Sequence, residues 1–131
     1  MLPKINRIKK KKDFEIIFKK GASFKNNLFI LRFLKNSLGK NRFGFVVSQK
    51  VSKKAVVRNK VRRRLTESIK KEIEKTFPVI QEAFQAKAGI DLVIIALSGI
   101  EKKDFSEIKD TVSSALTKAK IIIKDKKTEN V

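Results

Sequence analysis

The chain has 131 residues, the size of one domain, with 41% hydrophobic residues, 35% charged residues and a formal net charge of +20. A cationic excess of this size points to nucleic acid or an anionic membrane surface. The absence of Cys and His excludes disulfides, thiol nucleophiles, His-based triads and zinc sites built on those ligands.

The charge is unevenly placed. Residues 1–64 hold 21 Lys/Arg against two acids, Asp13 and Glu15, a net +19, so the remainder of the chain is close to neutral. A charge run is ordinarily a solvated face, but confinement of nearly the whole excess to half the chain favours a polyanion. The longest wholly apolar run, Leu92–Leu97, is far short of the ~20 residues of a membrane span. No apolar segment follows the basic N-terminus as it would in a signal peptide. The expectation is a cytoplasmic protein with no membrane partner.

In chain order, MLPKINRIKKKK reads as an extended polar start. Asp13 is a candidate N-cap for a short helix bearing Phe14, Ile17 and Phe18 at helical spacing, with Gly21 as its stop. Two aromatics so placed fit a core face as well as a stacking surface. Residues 22–25 read as a brief strand. Leu28–Leu34 is a stronger one, with Phe29, Leu31 and Phe33 on one face and Leu28, Ile30, Arg32 and Leu34 on the other. An unpaired buried charge is costly, so Arg32 argues that its face is open to water or to an anion. Asn36–Asn41, with Gly39, supplies turn residues, and Arg42–Ser48 reads as the second arm of a hairpin with Leu28–Leu34.

Lys50–Arg64, KVSKKAVVRNKVRRR, has eight Lys/Arg among 15 residues and no acid. It reads as the start of a long amphipathic helix with Ser52 as N-cap and Val57, Val61, Leu65, Ile69 and Ile73 as a buried seam. Arg58, Asn59, Arg62 and Arg63 share one flank of that seam, and Lys60 and Arg64 the other. Lys53, Lys54 and Arg58 crowd the positive end of the helix macrodipole, while Glu72 and Glu74 lie toward its negative end. Each such placement costs about 0.3–1 kcal/mol when exposed, and Arg58 and Arg62 repel at i,i+4 spacing. A helix end with free N–H groups and surplus cations is a phosphate site. Asn59 is a weak helix former with both a donor and an acceptor. It suits positioning of a neighbouring Arg, contact with RNA, or a neutral exposed place.

Phe77-Pro78 reads as a break, with Pro78–Ala88 as a new short helix ended by Gly89. Ile90–Leu97 is apolar on both faces after Asp91, as in a central strand reached by a helical crossover and parallel to its partner. Ser98-Gly99 turns the chain. Asp104 with Glu107 resembles a capping box, and Phe105, Ile108, Val112, Ala115, Leu116 and Ala119 mark the face of a last helix. Of the 13 acids only two fall in the basic half. A two-metal nuclease needs several carboxylates converging on one site, so no catalytic or metal-ligating residue is assigned.

These residues resemble the protein subunits of bacterial ribonuclease P. The likeness rests on Ala55-Val56-Val57-Arg58-Asn59-Lys60-Val61-Arg62-Arg63, on Leu2-Pro3, on residues 13–21 and 41–48, and on residues 91–96. It spans roughly residues 2 to 122 in the family's order. It implies an α+β fold: a two-layer α/β sandwich of order α-β-β-β-α-β-α with a left-handed βαβ crossover, here one RNA-binding domain over 1–123 and a polar tail over 124–131. It implies binding of a catalytic RNA subunit through the basic helix, with Lys53, Lys54, Arg58, Asn59, Lys60, Arg62, Arg63 and Arg64 as candidates. It implies a cleft for the 5′ leader of precursor tRNA, a role that falls on Phe14, Phe18, Ile30, Arg32, Ser48 and Lys50. Mg²⁺ would be bound mainly by the RNA, and no protein partner is implied. Thr66 stands where many members have Arg, Arg32 where Tyr is common, and Gln49 where one of a Lys pair is common. The 78–88 segment is longer than usual and has no assigned role. Composition alone also fits a structural RNA-binding protein such as a ribosomal protein, and a nuclease active alone predicts metal-dependent cleavage without RNA.

Overall fold

The computed structural model describes residues 6–36, 38, 40–84 and 89–129, and for 73–84 and 119–129 the backbone. The elements are α1 (Lys11–Lys20), β1 (Ala22–Lys25), β2 (Phe29–Asn36), β3 (Arg42–Val46), α2 (Ala55–Phe84), β4 (Gly89–Ala96) and α3 (Phe105–Glu129), with a 3-10 turn at Ile100–Lys102 before α3. This is the α-β-β-β-α-β-α order of the α+β class. The expected roles of Leu2-Pro3, Gly39, residues 85–88 and the side chains of Ile73, Glu74 and Ala119 lie outside the described residues.

The sheet has the order β1-β2-β4-β3. β2 and β3 are therefore not a hairpin. β4 inserts between them, antiparallel to β2 and parallel to β3. The cause is the apolar character of β4 on both faces: Ile90, Leu92, Val93 and Ile94 are all buried, which only an interior strand provides. The expected parallel partner is thus β3, reached through α2.

Helices α2 and α3 cover one face. Leu65 and Ile69 of α2 and Ile108, Val112 and Ala115 of α3 join Phe29, Leu31, Phe33, Leu92 and Ile94 in one core. The i, i+4 seam of α2 and the odd-numbered face of β2 are as their periodicities predict. On the opposite face α1 buries Ile17 with Ile8 and Val93 in a smaller cluster. The N-terminal segment runs beside β3, where the Ile8 N–H donates to the Phe43 carbonyl at 2.9 Å.

Several local expectations are corrected. Asp13 does not cap α1, which starts at Lys11 with Lys10 in the cap position and no side-chain bond; its carboxylate is turned to Arg42 instead. Ser52 does not cap α2. Its Oγ accepts from the Lys54 N–H at 3.2 Å, and the Lys54 carbonyl receives the first helical bonds, from Val57 and Arg58 at 3.1 Å. The backbone of α2 runs through Pro78 to Phe84 rather than restarting there; Pro removes one helical N–H, but its φ is helical. Gly89 opens β4, where a Cβ would collide with the Lys40 carbonyl. The Asp104 carboxylate caps α3 by accepting from the Glu107 N–H at 2.9 Å, but Glu107 pairs with Lys103 at 3.6 Å, so only half of the capping box forms. The backbone of α3 continues through 124–129. Among the described residues, no helix is long and apolar enough to cross a membrane.

Candidate nucleic-acid interface

The basic end of α2 is anchored from below. Val61 and Leu65 are buried and Val57 is half-buried, while Val56 is 79% exposed. Lys53, Lys54, Asn59, Lys60 and Arg63 are exposed, and Arg58, Arg62 and Arg64 half-buried. Arg58 folds back over the preceding turn, its Nη1 donating to the carbonyls of Ser52 and Lys53 at 3.0 and 2.9 Å. Arg62 Nη1 donates to Asn59 Oδ1 at 2.5 Å, so Asn59 positions an Arg, one of the roles its chemistry suits. Arg64 Nη1 donates to the Lys103 carbonyl at 2.7 Å, tying α2 to the start of α3. Thr66 bonds its own helix through the Arg62 carbonyl.

Among the described residues the ion pairs are Arg42–Asp13, Arg42–Asp91 and Lys103–Glu107. None engages a cation of residues 50–64, and the first turn of α2 holds no acid. That positive field is uncompensated, as a polyanion site requires.

The second part of the site is the sheet face that carries α1. Strand register sorts its side chains into rows. One row is Ser23, Arg32, Val93 and Gly44, and the next is Lys25, Ile30, Ile95 and Val46. Helix α1 crosses the strands over the first row. Its Phe14 ring lies on Gly44, where an added Cβ would stand 2.7 Å from the ring. Its C-terminal end is held by Arg32, whose Nη2 donates to the carbonyls of Phe18 and Gly21. A cation at helix-terminal carbonyls is favourable.

The second row is left open. Ile30, Ile95 and Val46 are half-exposed and Lys25 is exposed. Phe14 and Phe18 stand on the flank of α1, with ring centroids 6.3 Å apart; Phe14 is half-buried and Phe18 40% exposed. Neither ring is fully in the core. Ser48 and Lys50 are exposed on the turn that follows β3. The Ser48 carbonyl accepts from the Val51 N–H at 3.0 Å, and Ser98 Oγ ties the Lys50 carbonyl to the end of β4 at 3.1 Å. The structure thus brings Phe14, Phe18, Ile30, Ser48 and Lys50 to one trough, with Arg32 beneath the end of α1. Lys25, Val46 and Ile95 were not singled out from sequence. Membership of a row depends on strand order, which periodicity does not carry.

The other flank of α1 is different. A hollow of ≈ 670 Å³ there is lined by Asp13, Ile16, Leu34, Asn36, Arg42 and Asp91, among others. Arg42 makes a two-point contact with Asp91, Nε to Oδ1 at 2.8 Å and Nη2 to Oδ2 at 2.6 Å. It also donates to Asp13 at 3.3 Å. The hydrogen bond to Asp91 raises the Arg42 pKa further above its already high ordinary value, against the opposing effect of burial. This cluster of one guanidinium and two carboxylates holds β3, β4 and α1 together. Among the described residues, no group of three or more His, Cys, Asp or Glu is placed to hold a metal ion.

The sequence and the fold are similar to those of known proteins. The family model described as Ribonuclease P matches residues 2–120. The ribonuclease P protein component of Clostridium botulinum is 38% identical over 118 residues, 90% of this chain and 97% of that protein. The one from Clostridium acetobutylicum is 37% identical over 126 residues, 95% of this chain and 97% of that protein. A Staphylococcus aureus RNase P protein, a mutant with defective mRNA degradation activity, superposes with a TM-score of 0.74 at 30% identity, covering 89% of this chain and 90% of that one. The RNase P protein from Thermotoga maritima superposes with a TM-score of 0.67 at 29% identity, covering 86% and 96%.

Proposed function

The chain belongs to the ribonuclease P protein component family, and on that premise we propose that it is the non-catalytic subunit of an RNA-based endoribonuclease that removes the 5′ leader of precursor tRNA in the cytoplasm. The observation that carries this reading is the junction of two surfaces. An uncompensated basic helix end meets an open, aromatic-walled trough on the same molecule. Lys53, Lys54, Arg58, Asn59, Lys60, Arg62 and Arg63 bind the catalytic RNA, Arg as a fork on phosphate and Lys as a point charge. Arg64, tied to Lys103, offers its remaining donors at the edge of the same surface.

The trough takes the single-stranded leader. Unpaired bases stack on rings and apolar side chains while flanking cations meet the phosphates. Phe14 and Phe18 supply the rings, Ile30 the floor, and Ser48 and Lys50 the end nearest α2. Arg32 supplies the support under Phe18. Mg²⁺ and the hydrolytic chemistry are assigned to the RNA, as the resemblance to the family implies. The protein screens RNA–RNA repulsion and holds substrate.

The test is 5′ maturation of precursor tRNA by the cognate RNA at low Mg²⁺, with and without the purified protein. Stimulation is expected. RNA binding without stimulation would return the chain to structural RNA-binding proteins, and cleavage without the RNA would make it a nuclease. Phe18→Ala should weaken binding of leader-bearing substrate by about 1–3 kcal/mol, the worth of one base–ring stack, and leave mature tRNA unaffected. Equal loss for both would place Phe18 in the fold alone.

A further inference from the structure

The polar flank of α1 borders the hollow at the end of the sheet where β2 stops and β3 and β4 begin. Its volume of ≈ 670 Å³ falls within the range of small-molecule sites, about 300–1,000 Å³. The large hydrophobic side chains exposed among the described residues are Val56 on the basic helix, Phe18 on the trough, and Ile16 and Leu38, which are 39% and 52% exposed. The last two both line this hollow, and with half-buried Leu34 they give it apolar walls. The Leu38 N–H is held by Asn36 Oδ1 at 3.0 Å. Polar groups converge beside these walls. Arg42 spends Nε and one N–H of Nη2 on Asp91 and one N–H of Nη1 on Asp13, which leaves a second N–H on each Nη. Asp13 Oδ2 accepts that bond at 3.3 Å, and Oδ1 accepts none among the described residues. Lys10 is exposed at the mouth. It forms no ion pair among the described residues.

We infer that this hollow is a binding site for a guanine nucleotide, either free or unpaired in an RNA chain. The site is separate from the trough, because α1 lies between the two. A flat base has two apolar faces, which Ile16, Leu34 and Leu38 can cover, and its Watson–Crick edge must then find polar partners. The edge of guanine offers an acceptor followed by two neighbouring donors, O6, N1–H and N2–H. Arg42 and Asp13 offer the complement in the same order. A spare N–H of Arg42 meets O6, and the Asp13 carboxylate accepts from N1–H and N2–H as a two-point contact. The other bases match less of it. Adenine and cytosine each bring a single donor group beside an acceptor, and uracil brings one donor between two acceptors. None of them fills both oxygens of the carboxylate from a single edge. Lys10 stands where a 5′-phosphate would leave the mouth, as a point charge. Asp91 holds the Arg42 fork in place from behind, so the donor and the acceptor face the ligand before it arrives.

The experiment titrates guanosine 5′-monophosphate, and in parallel the adenosine, cytidine and uridine monophosphates, into the full-length protein with labelled Ile and Leu methyl groups. Saturable shifts are expected at Ile16, Leu34 and Leu38, with the guanine nucleotide bound about tenfold more tightly than the others, as a two-point contact to a base edge provides. Asp13→Asn, which keeps an acceptor for Arg42 but loses one carboxylate oxygen, should abolish the preference for guanine. Leu38→Ser, at an exposed position, should weaken all four nucleotides. Lys10→Gln should weaken guanosine monophosphate several-fold and leave guanosine unaffected. Phe18→Ala, across α1, should change nothing in this titration. No saturable shift at these methyls, equal affinity for the four nucleotides, a guanine preference that survives Asp13→Asn, or loss of binding with Phe18→Ala overturns the inference. The same titration on the protein assembled with its RNA separates the two sources. If the RNA supplies the guanine, the methyl shifts appear on assembly and added nucleotide no longer binds. If the ligand is free, added nucleotide binds the assembly as it binds the protein. Exclusion of the nucleotide without those shifts means that the RNA merely covers the hollow, and overturns both.

Discussion

Arg32 shows how a single residue can be read for its surroundings while one of its neighbours stays out of sight. A charge inside an apolar strand signalled that its face was open, and that face is the one with the trough. The sequence did not show that α1 would end above it and supply carbonyls. Its guanidinium is engaged with Phe18 and Gly21, so it acts by holding the end of α1 and only secondarily as a charge. Arg32→Met should therefore reduce leader-dependent affinity with little change in salt slope. A drop in slope of about 1 would instead mark a direct phosphate contact. Asp91 was legible only as the polar exception in a buried strand. It is buried against Arg42, and breaking a buried pair by removing one partner costs about 3–5 kcal/mol. Asp91→Ala should lower unfolding stability by that order in urea titration, and Asp13→Ala, whose contact with Arg42 is longer and more exposed, should cost far less.

At the level of elements, the periodic ones were legible and their partners were not. The seam of α2, the alternation in β2 and the doubly apolar β4 all follow from spacing. Ile69, fully buried in that seam, should cost about 2–5 kcal/mol when cut to Ala. Denaturant unfolding would measure this loss. The RNA-facing side chains would remain in place, so affinity measured well below the unfolding midpoint should hold. The hairpin error had a physical origin. A short polar stretch between two strands is compatible with direct pairing or with one strand's gap between them, and only the demand of β4 for two neighbours decides. Pro78 misled for a related reason, because a residue that disfavours a helix does not forbid one. The separation of α1 into an aromatic flank and a polar flank was half visible. Phe14 and Phe18 lie four apart, but the polar flank depends on Arg42 and Asp91, distant in sequence.

For the whole molecule, the charge asymmetry was the most direct message of the sequence, and the structure gives it a shape. Eight of the 21 Lys/Arg of the first 64 residues lie in Lys50–Arg64, around the start of α2, and the described ion pairs lie elsewhere. If six to ten phosphates are covered, affinity for the RNA should fall about 10³–10⁵-fold between 50 and 200 mM salt. Filter binding across that range would measure it, and a shallow dependence would mean that most of these cations face solvent in the complex.

The strand order carries a consequence for how the chain comes into being. β4 is the last strand to leave the ribosome, yet it is an interior strand, with β2 on one side and β3 on the other. Until it emerges, β2 and β3 have no common neighbour, the core face of α2 has only half of its floor, and α1 has no Val93 to sit on. The nascent chain would thus expose its strongly cationic portion before its sheet is complete, in a cell full of RNA. Non-local pairing of this kind slows folding, so the protein's first contact with polyanions precedes its finished architecture. Its completion depends on the arrival of Gly89–Ala96.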